Sequence, residues 1–215
     1  MIEAIVFDLD GVLVDSEHVW DEARMSLAEE RGGRWTDNAS RDMMGMSSLE
    51  WSHYMRDEIG IDEEPEEISA EVVRRLERIY RVELPLMEGA VEAVESLAAH
   101  WPLGLASSSN RELIDLVLEL SGLDRFFAAT VSSEEVARGK PAPDVYLETA
   151  RRLDVANEKC AAVEDSENGI LAAKAAGMRV LAIPNPQYPP HEEALAAADE
   201  VLGSLAELTP EAITG

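Results

Sequence analysis

Ile5-Val6-Phe7-Asp8-Leu9-Asp10-Gly11-Val12 is an apolar run that breaks at a glycine, just after two carboxylates. Residues 2–8 read as a buried strand. Alternate residues of a strand face the same way, so Asp8 and Asp10 project together from its carboxyl end. In an open α/β sheet that end is where ligands bind. Burying two carboxylates side by side is costly unless a cation or a proton offsets them. The pair therefore points to a metal ion and to a reaction.

Outward from this stretch the pattern changes. After Asp15 a helical spacing holds to about Leu84, in Trp20, Ala23 and Leu27, in Trp51, Met55 and Ile59, and in Val72, Leu76 and Ile79. Asp62-Glu63-Glu64-Pro65-Glu66-Glu67 reads as a solvated break between two of these helices. From Pro85 strands and helices alternate. Strands are expected over 103–106, 128–132, 160–163, 180–183 and 200–202. Helices are expected through Val91, Val94 and Leu97, from Leu113 to a stop at Gly122, and over 145–153 and 168–177. This order predicts an α/β fold with a mainly parallel sheet covered on both faces. Residues 1–15 and 84–215 would form the core, and residues 16–83 an all-helical insertion.

Composition narrows the function. The 215 residues are 46% hydrophobic, enough for a proper core, and carry a net charge of −26 from 44 acids and 18 bases. Such a surface repels nucleic acid and anionic membranes, so neither is expected as a partner. The acids are spread through periodic segments rather than gathered into a tail, which reads as a solvated surface. Any anionic substrate then needs a locally positive site. Cys160 is the single cysteine, so no intrachain disulfide forms, as expected of a cytoplasmic protein. No run approaches the roughly 20 apolar residues that span a bilayer.

Three further polar clusters stand at expected strand ends or in the loops between them. Ser107-Ser108-Ser109-Asn110 follows the second strand and Glu164-Asp165 the fourth, with Gly139-Lys140-Pro141-Ala142-Pro143-Asp144 between. Each alone has a plain explanation as turn, helix cap or solvated loop. Their joint placement along one sheet is harder to explain that way. Together, Asp8-Leu9-Asp10-Gly11-Val12, Ser107, Lys140 and Glu164-Asp165 resemble the four ordered motifs of the haloacid dehalogenase superfamily. Val14-Asp15-Ser16-Glu17 and Val163-Glu164-Asp165-Ser166-Glu167-Asn168-Gly169 resemble its group of β-phosphoglucomutase and small sugar-phosphate phosphatases.

That resemblance implies a Rossmannoid core with a helical cap, a Mg²⁺ cofactor and a small phosphorylated metabolite as substrate. It makes Asp8 the nucleophile that becomes an aspartyl phosphate, and Asp10 the general acid and then base. Ser107 would donate to the transferring phosphoryl group, and Lys140 would supply fixed positive charge. Asp8, Asp165, Glu164 and the backbone carbonyl of Asp10 would hold the metal. Gly11 and the turn after it would let the cap open and close. Ser108, Asn110, Glu17, Trp20 and Gly45 are candidate substrate-binding residues, and a monomer is expected.

Asp10 argues against a dehalogenase, in which no leaving group needs a proton. Residues 16–83 contain no lysine, which excludes the Schiff-base chemistry of the related phosphonate hydrolase. The mutase alternative resembles proteins with a Lys-Gly pair and an arginine in the cap, where this chain has Met43-Met44-Gly45-Met46-Ser47-Ser48. Hydrolysis is therefore the expected reaction, with mutase activity as the alternative and a non-catalytic binder further behind. Trp20 reads equally as substrate wall or cap core. His18 reads as a surface residue, and Met43, Met44 and Met46 as packing or pocket lining.

Overall fold

The computed structural model describes residues 1–186 and 189–215. Among these, β1 (Ala4–Phe7), β2 (Leu103–Ser107), β3 (Phe127–Ser132), β4 (Cys160–Glu164), β5 (Arg179–Ala182) and β6 (Glu200–Val201) form one sheet in the order β3-β2-β1-β4-β5-β6. Every pairing is parallel, as expected when helical crossovers cover both faces. Strand β1 shows how the sequence achieves this. Its Ile5 and Phe7 enter one apolar cluster and Ala4 and Val6 the other, so the unbroken apolar run serves two cores at once.

Helices α5 (Ala90–Ala98) and α6 (Arg111–Ser121) bury Val94, Leu97, Leu113 and Val117 in the first cluster. Helices α7 (Asp144–Leu153) and α8 (Glu167–Ala175) bury Val145, Tyr146, Ile170 and Ala173 in the second. Two short helices, α9 (Glu192–Ala197) and α10 (Pro210–Thr214), were not anticipated from the periodicity.

Between β1 and α5 the chain forms α1 (Glu17–Glu30), α2 (Ala39–Met43), α3 (Ser48–Asp57) and α4 (Pro65–Val82). Helix α4 packs on α1 and α3, and its Ile68, Val72, Leu76 and Tyr80 are buried. At about 1.5–3 kcal/mol per buried large apolar side chain, this stripe contributes several kcal/mol to holding the helices together. The expected break ends earlier than predicted. Pro65 is buried as the first residue of α4, a position where its missing N–H costs nothing.

The strand register aligns the functional ends. Phe7 lies beside Leu105 of β2 and Val163 of β4, and the Asp8 N–H donates to Val163 O at 3.0 Å. Asp8, Ser107 and Glu164 therefore stand within about one residue of each other along the sheet. The two segments that bound the helical stretch are joined. Asp15 N–H donates to Pro85 O at 2.7 Å, Met87 N–H donates to Leu13 O at 3.0 Å, and Val14 bridges Leu86.

Candidate active site

At the carboxyl ends of β1 and β4 a buried lysine is shared by two carboxylates. Lys140 Nζ donates to Asp8 Oδ1 at 2.7 Å and to Glu164 Oε1 at 2.5 Å. Tyr146 Oη donates to the same Glu164 oxygen at 2.5 Å. The other Glu164 oxygen accepts from Asp165 N–H, Ser166 N–H and Ser166 Oγ. This close packing needs Gly169, where a Cβ would fall 1.9 Å from the Glu164 carboxylate. Gly11 is required for a second reason. Its φ of +81° is left-handed, and a Cβ there would meet Asp165 Oδ2 at 2.0 Å.

Asp10 has different partners. Ser16 Oγ donates to its Oδ1 at 2.6 Å and Trp20 Nε1 to the same atom at 3.0 Å, while Ser109 Oγ donates to Oδ2 at 2.6 Å. Two of these donors lie at the start of the helical stretch and one on the loop after β2. The orientation of Asp10 therefore depends on both parts of the chain.

Electrostatics follow from burial. Burial, opposed by Lys140 and assisted by Glu164 and Asp10, pushes the Asp8 carboxyl up to about 8. Burial, with Glu164 and Asp8 beside it, also carries Asp165 well above the usual carboxylate range. Burial would lower the Lys140 ammonium, but Asp8 and Glu164 outweigh it and raise its pKa. Glu17 is raised to about 7, by burial first and then by Asp10. One lysine does not balance these acids.

The acids fit a hard divalent cation. Asp8, Glu164 and Asp165 each offer an oxygen within 4.8 Å of the others. Asp165 Oδ1 is buried without a hydrogen-bond partner, and such an orphan acceptor needs a cation or a proton. The Asp10 side chain stands outside this group, since its oxygens are occupied by Ser16, Trp20 and Ser109.

A cavity of about 50 Å³ lies between the sheet ends and the helical stretch. Of the residues singled out from sequence, Asp8, Asp10, Glu17, Trp20, Gly45, Ser108, Lys140 and Asp165 line it, together with Met43, Met44 and Met46. Trp20 is both core and wall: it is buried, and its ring packs edge-on to Trp51 with centroids 5.8 Å apart. His18 is exposed, with its ring 4.0 Å from Asp15.

Three residues stand away from the wall. Ser107 is fully buried, and its Oγ accepts from Ser109 N–H at 3.0 Å. Glu164 is sealed beneath Lys140. Asn110 turns aside, its amide donating to Glu134 Oε1 at 2.8 Å and Ser69 Oγ at 3.3 Å. The sequence reading missed Ser109, Arg24 and Trp51, which also line the cavity. Arg24 lies four residues after Trp20 on α1, a helical spacing that places both on one face.

The fold and this constellation define a class. A sequence profile of the haloacid dehalogenase-like hydrolases matches residues 2–177, and the chain belongs to that family. Hexitol phosphatase B of Escherichia coli is 33% identical, covering 100% of this chain and 97% of the relative. A phosphorylated carbohydrates phosphatase of Thermotoga maritima is 34% identical over 82% of each chain. Among solved structures, CbbY from Rhodobacter sphaeroides in complex with phosphate superposes with a TM-score of 0.88 at 28% identity, covering 100% of both chains. A CbbY mutant in complex with xylulose-1,5-bisphosphate gives the same TM-score at 29% identity and 99% coverage of both chains. The enzyme class is that of the phosphoric monoester hydrolases.

Proposed function

We propose that the protein is a Mg²⁺-dependent phosphatase of small phosphorylated metabolites, sugar or polyol phosphates foremost, acting through an aspartyl phosphate on Asp8. One observation carries this reading: a buried Asp8–Lys140–Glu164 cluster beside an unpartnered Asp165 oxygen, with Asp10 held separately by Ser16, Trp20 and Ser109. The relatives that act on hexitol and carbohydrate phosphates support the substrate class.

Asp8, Asp165 and the backbone carbonyl of Asp10 would hold the ion, with Glu164 serving chiefly to fix Lys140. When bound, Mg²⁺ supplies positive charge to the phosphoryl oxygens and offsets the clustered acids. Lys140 occupies Asp8 Oδ1, which leaves Oδ2 to attack phosphorus. Asp10 protonates the departing ester oxygen. The resulting anionic Asp10 then takes a proton from water, which attacks the phosphorus of the aspartyl phosphate and restores Asp8. Ser107 acts on the phosphoryl group through the loop it anchors, and Ser108 and Ser109 form the adjacent wall.

Residues 16–83 act as a cap in this reading. The cavity has room for only a few waters, so a sugar phosphate enters when the helical stretch moves, and closure completes the contacts to Asp10. Ser108 Oγ donates to Gly45 O at 3.2 Å and Ser48 Oγ to Glu134 at 2.8 Å, links that closure would make. The single cysteine, Cys160, is buried and free, which supports a reducing cytoplasm.

The test is a phosphate-release screen over about fifty phosphorylated metabolites with Mg²⁺, with conversion of β-glucose 1-phosphate to glucose 6-phosphate followed in parallel. Release from one or a few sugar or polyol phosphates, lost in Asp8→Asn, is expected. Isomer conversion without net release would replace this reading with the mutase.

A further inference from the structure

Arg24 on α1 is a buried cation with no counter-ion in contact. Its residue is 6% exposed, and among the described residues it makes no hydrogen bond or ion pair; its Nε is buried without an acceptor. Its guanidinium carbon instead lies 4.5 Å from the ring centroid of Trp20 and 4.9 Å from that of Trp51. The two tryptophans hold the cation against the cavity, which Arg24 lines. Contact with two rings repays part of the desolvation of a guanidinium but satisfies none of its N–H groups. An unsatisfied buried donor is costly to retain, so a ligand oxygen is its natural partner.

The charge around the cavity decides which kind of oxygen. Asp8, Asp10, Glu17 and Asp165 line it against Lys140 and Arg24, four acids to two bases. A divalent ion and a phosphoryl dianion would cancel one another and leave this acid excess unchanged. Lys140 is already taken by Asp8 and Glu164. A second phosphate or a carboxylate there would be met by Arg24 alone and would face both Glu17 and Asp10. A neutral oxygen carries no such penalty. It accepts from the guanidinium, and a hydroxyl can donate in turn to Glu17.

Resting on the phosphatase reading above, we infer that Arg24, held against the rings of Trp20 and Trp51, is a specificity-determining residue that donates hydrogen bonds to a neutral hydroxyl or carbonyl oxygen of the leaving group, so that the preferred substrates are polyhydroxylated monophosphates without a second anionic group. Contact with both rings sets the position of the donor, and the ester end is left to Asp8, Asp10 and Lys140.

The experiment compares kcat/KM for the best polyol or sugar monophosphate with that for p-nitrophenyl phosphate, which offers no such oxygen, in wild type, Arg24→Met and Arg24→Lys with Mg²⁺. Bisphosphates and phosphorylated sugar acids are measured alongside. The ratio of polyol to aryl substrate is expected to fall by about thirty-fold or more in Arg24→Met, the scale of one lost charged hydrogen bond. In Arg24→Lys, which keeps the charge but not the planar fork, a fall of about tenfold is expected. Ratios within about threefold of wild type in every folded variant would overturn the assignment. So would a wild-type preference for bisphosphates or sugar acids that Arg24→Met abolishes, which would mark an anion subsite. If Arg24→Met does not fold, Arg24→Lys decides alone. Wild type with no activity on any phosphate ester would instead refute the phosphatase reading beneath it.

Discussion

Glu135, just after β3, joins three parts of the core on the side from which the Lys140 loop departs. It accepts from Arg111 of α6, from Arg152 Nη2 of α7 at 2.7 Å, and from Ser132 N–H at 3.0 Å. Burial alone would raise its carboxyl, but the Ser132 N–H and the two guanidinium groups prevail and hold it at about 2, against an ordinary 4.5. The fall from 4.5 to about 2, at about 1.36 kcal/mol per pH unit, bounds the stabilisation at about 3 kcal/mol. Its side chain is 29% exposed, so screening reduces the expected loss in Glu135→Gln to about 2–3 kcal/mol at pH 7. The folded pKa lies below the unfolded one. The contribution is therefore complete above about pH 4.5 and is lost as pH falls towards 2, with about 1 kcal/mol left at pH 3. Urea unfolding of wild type and Glu135→Gln at pH 7 and pH 3 measures both ends. A gap of the same size at the two pH values, or one under about 0.5 kcal/mol at pH 7, would refute the electrostatic reasoning.

Trp20→Phe keeps an aromatic ring against Trp51 but removes the N–H that reaches Asp10. Steady-state kinetics on a sugar phosphate should show kcat lowered about tenfold or more, the worth of a hydrogen bond to a charged acceptor, and an unchanged kcat would show that Trp20 only packs. Gly169→Ala drives a methyl group into the Glu164 carboxylate. Thermal melts should show a loss of about 1–3 kcal/mol, and urea unfolding with no loss would mean that the strand end and α8 can part freely.

The fold was largely legible because two periodicities carry it. Val6 and Phe7 belong to an unbroken apolar run that suits a strand buried on both faces, and Val72 and Leu76 follow a helical spacing on α4, where the buried residue of the next turn is Tyr80 rather than the expected Ile79. Asp8, Asp10, Lys140 and Glu164-Asp165 were legible as a set through the resemblance of their ordered motifs to a known family. The register that aligns Phe7 with Val163 brings Asp8 beside Glu164, and the loop before α7 carries Lys140 to both. What escaped depends on contacts between distant segments. Arg24 lies on a helix rich in acids and reads as part of a solvated face until Trp51 of α3 is placed against it. That Ser108 and Ser109 face the cavity and Ser107 does not is set by the turn after β2, where Ser107 Oγ accepts from Ser109 N–H. Asn110 is drawn aside by Glu134, a residue 24 positions away. Pro65, read as part of a break, opens α4 because its neighbours Glu66 and Glu67 suit a helix N-terminus.

Phosphoryl transfer to Asp8 can be trapped in Asp10→Asn, which lacks the base for the second step, mixed with p-nitrophenyl phosphate, whose leaving group needs no acid. The reaction is quenched with acid, and the protein is reduced with borohydride and mapped by mass spectrometry. A burst of one p-nitrophenolate per enzyme is expected, with homoserine at position 8, the reduction product of an acyl phosphate on that aspartate. A burst with position 8 still aspartate, or a reduced residue elsewhere in the chain, would contradict transfer to Asp8.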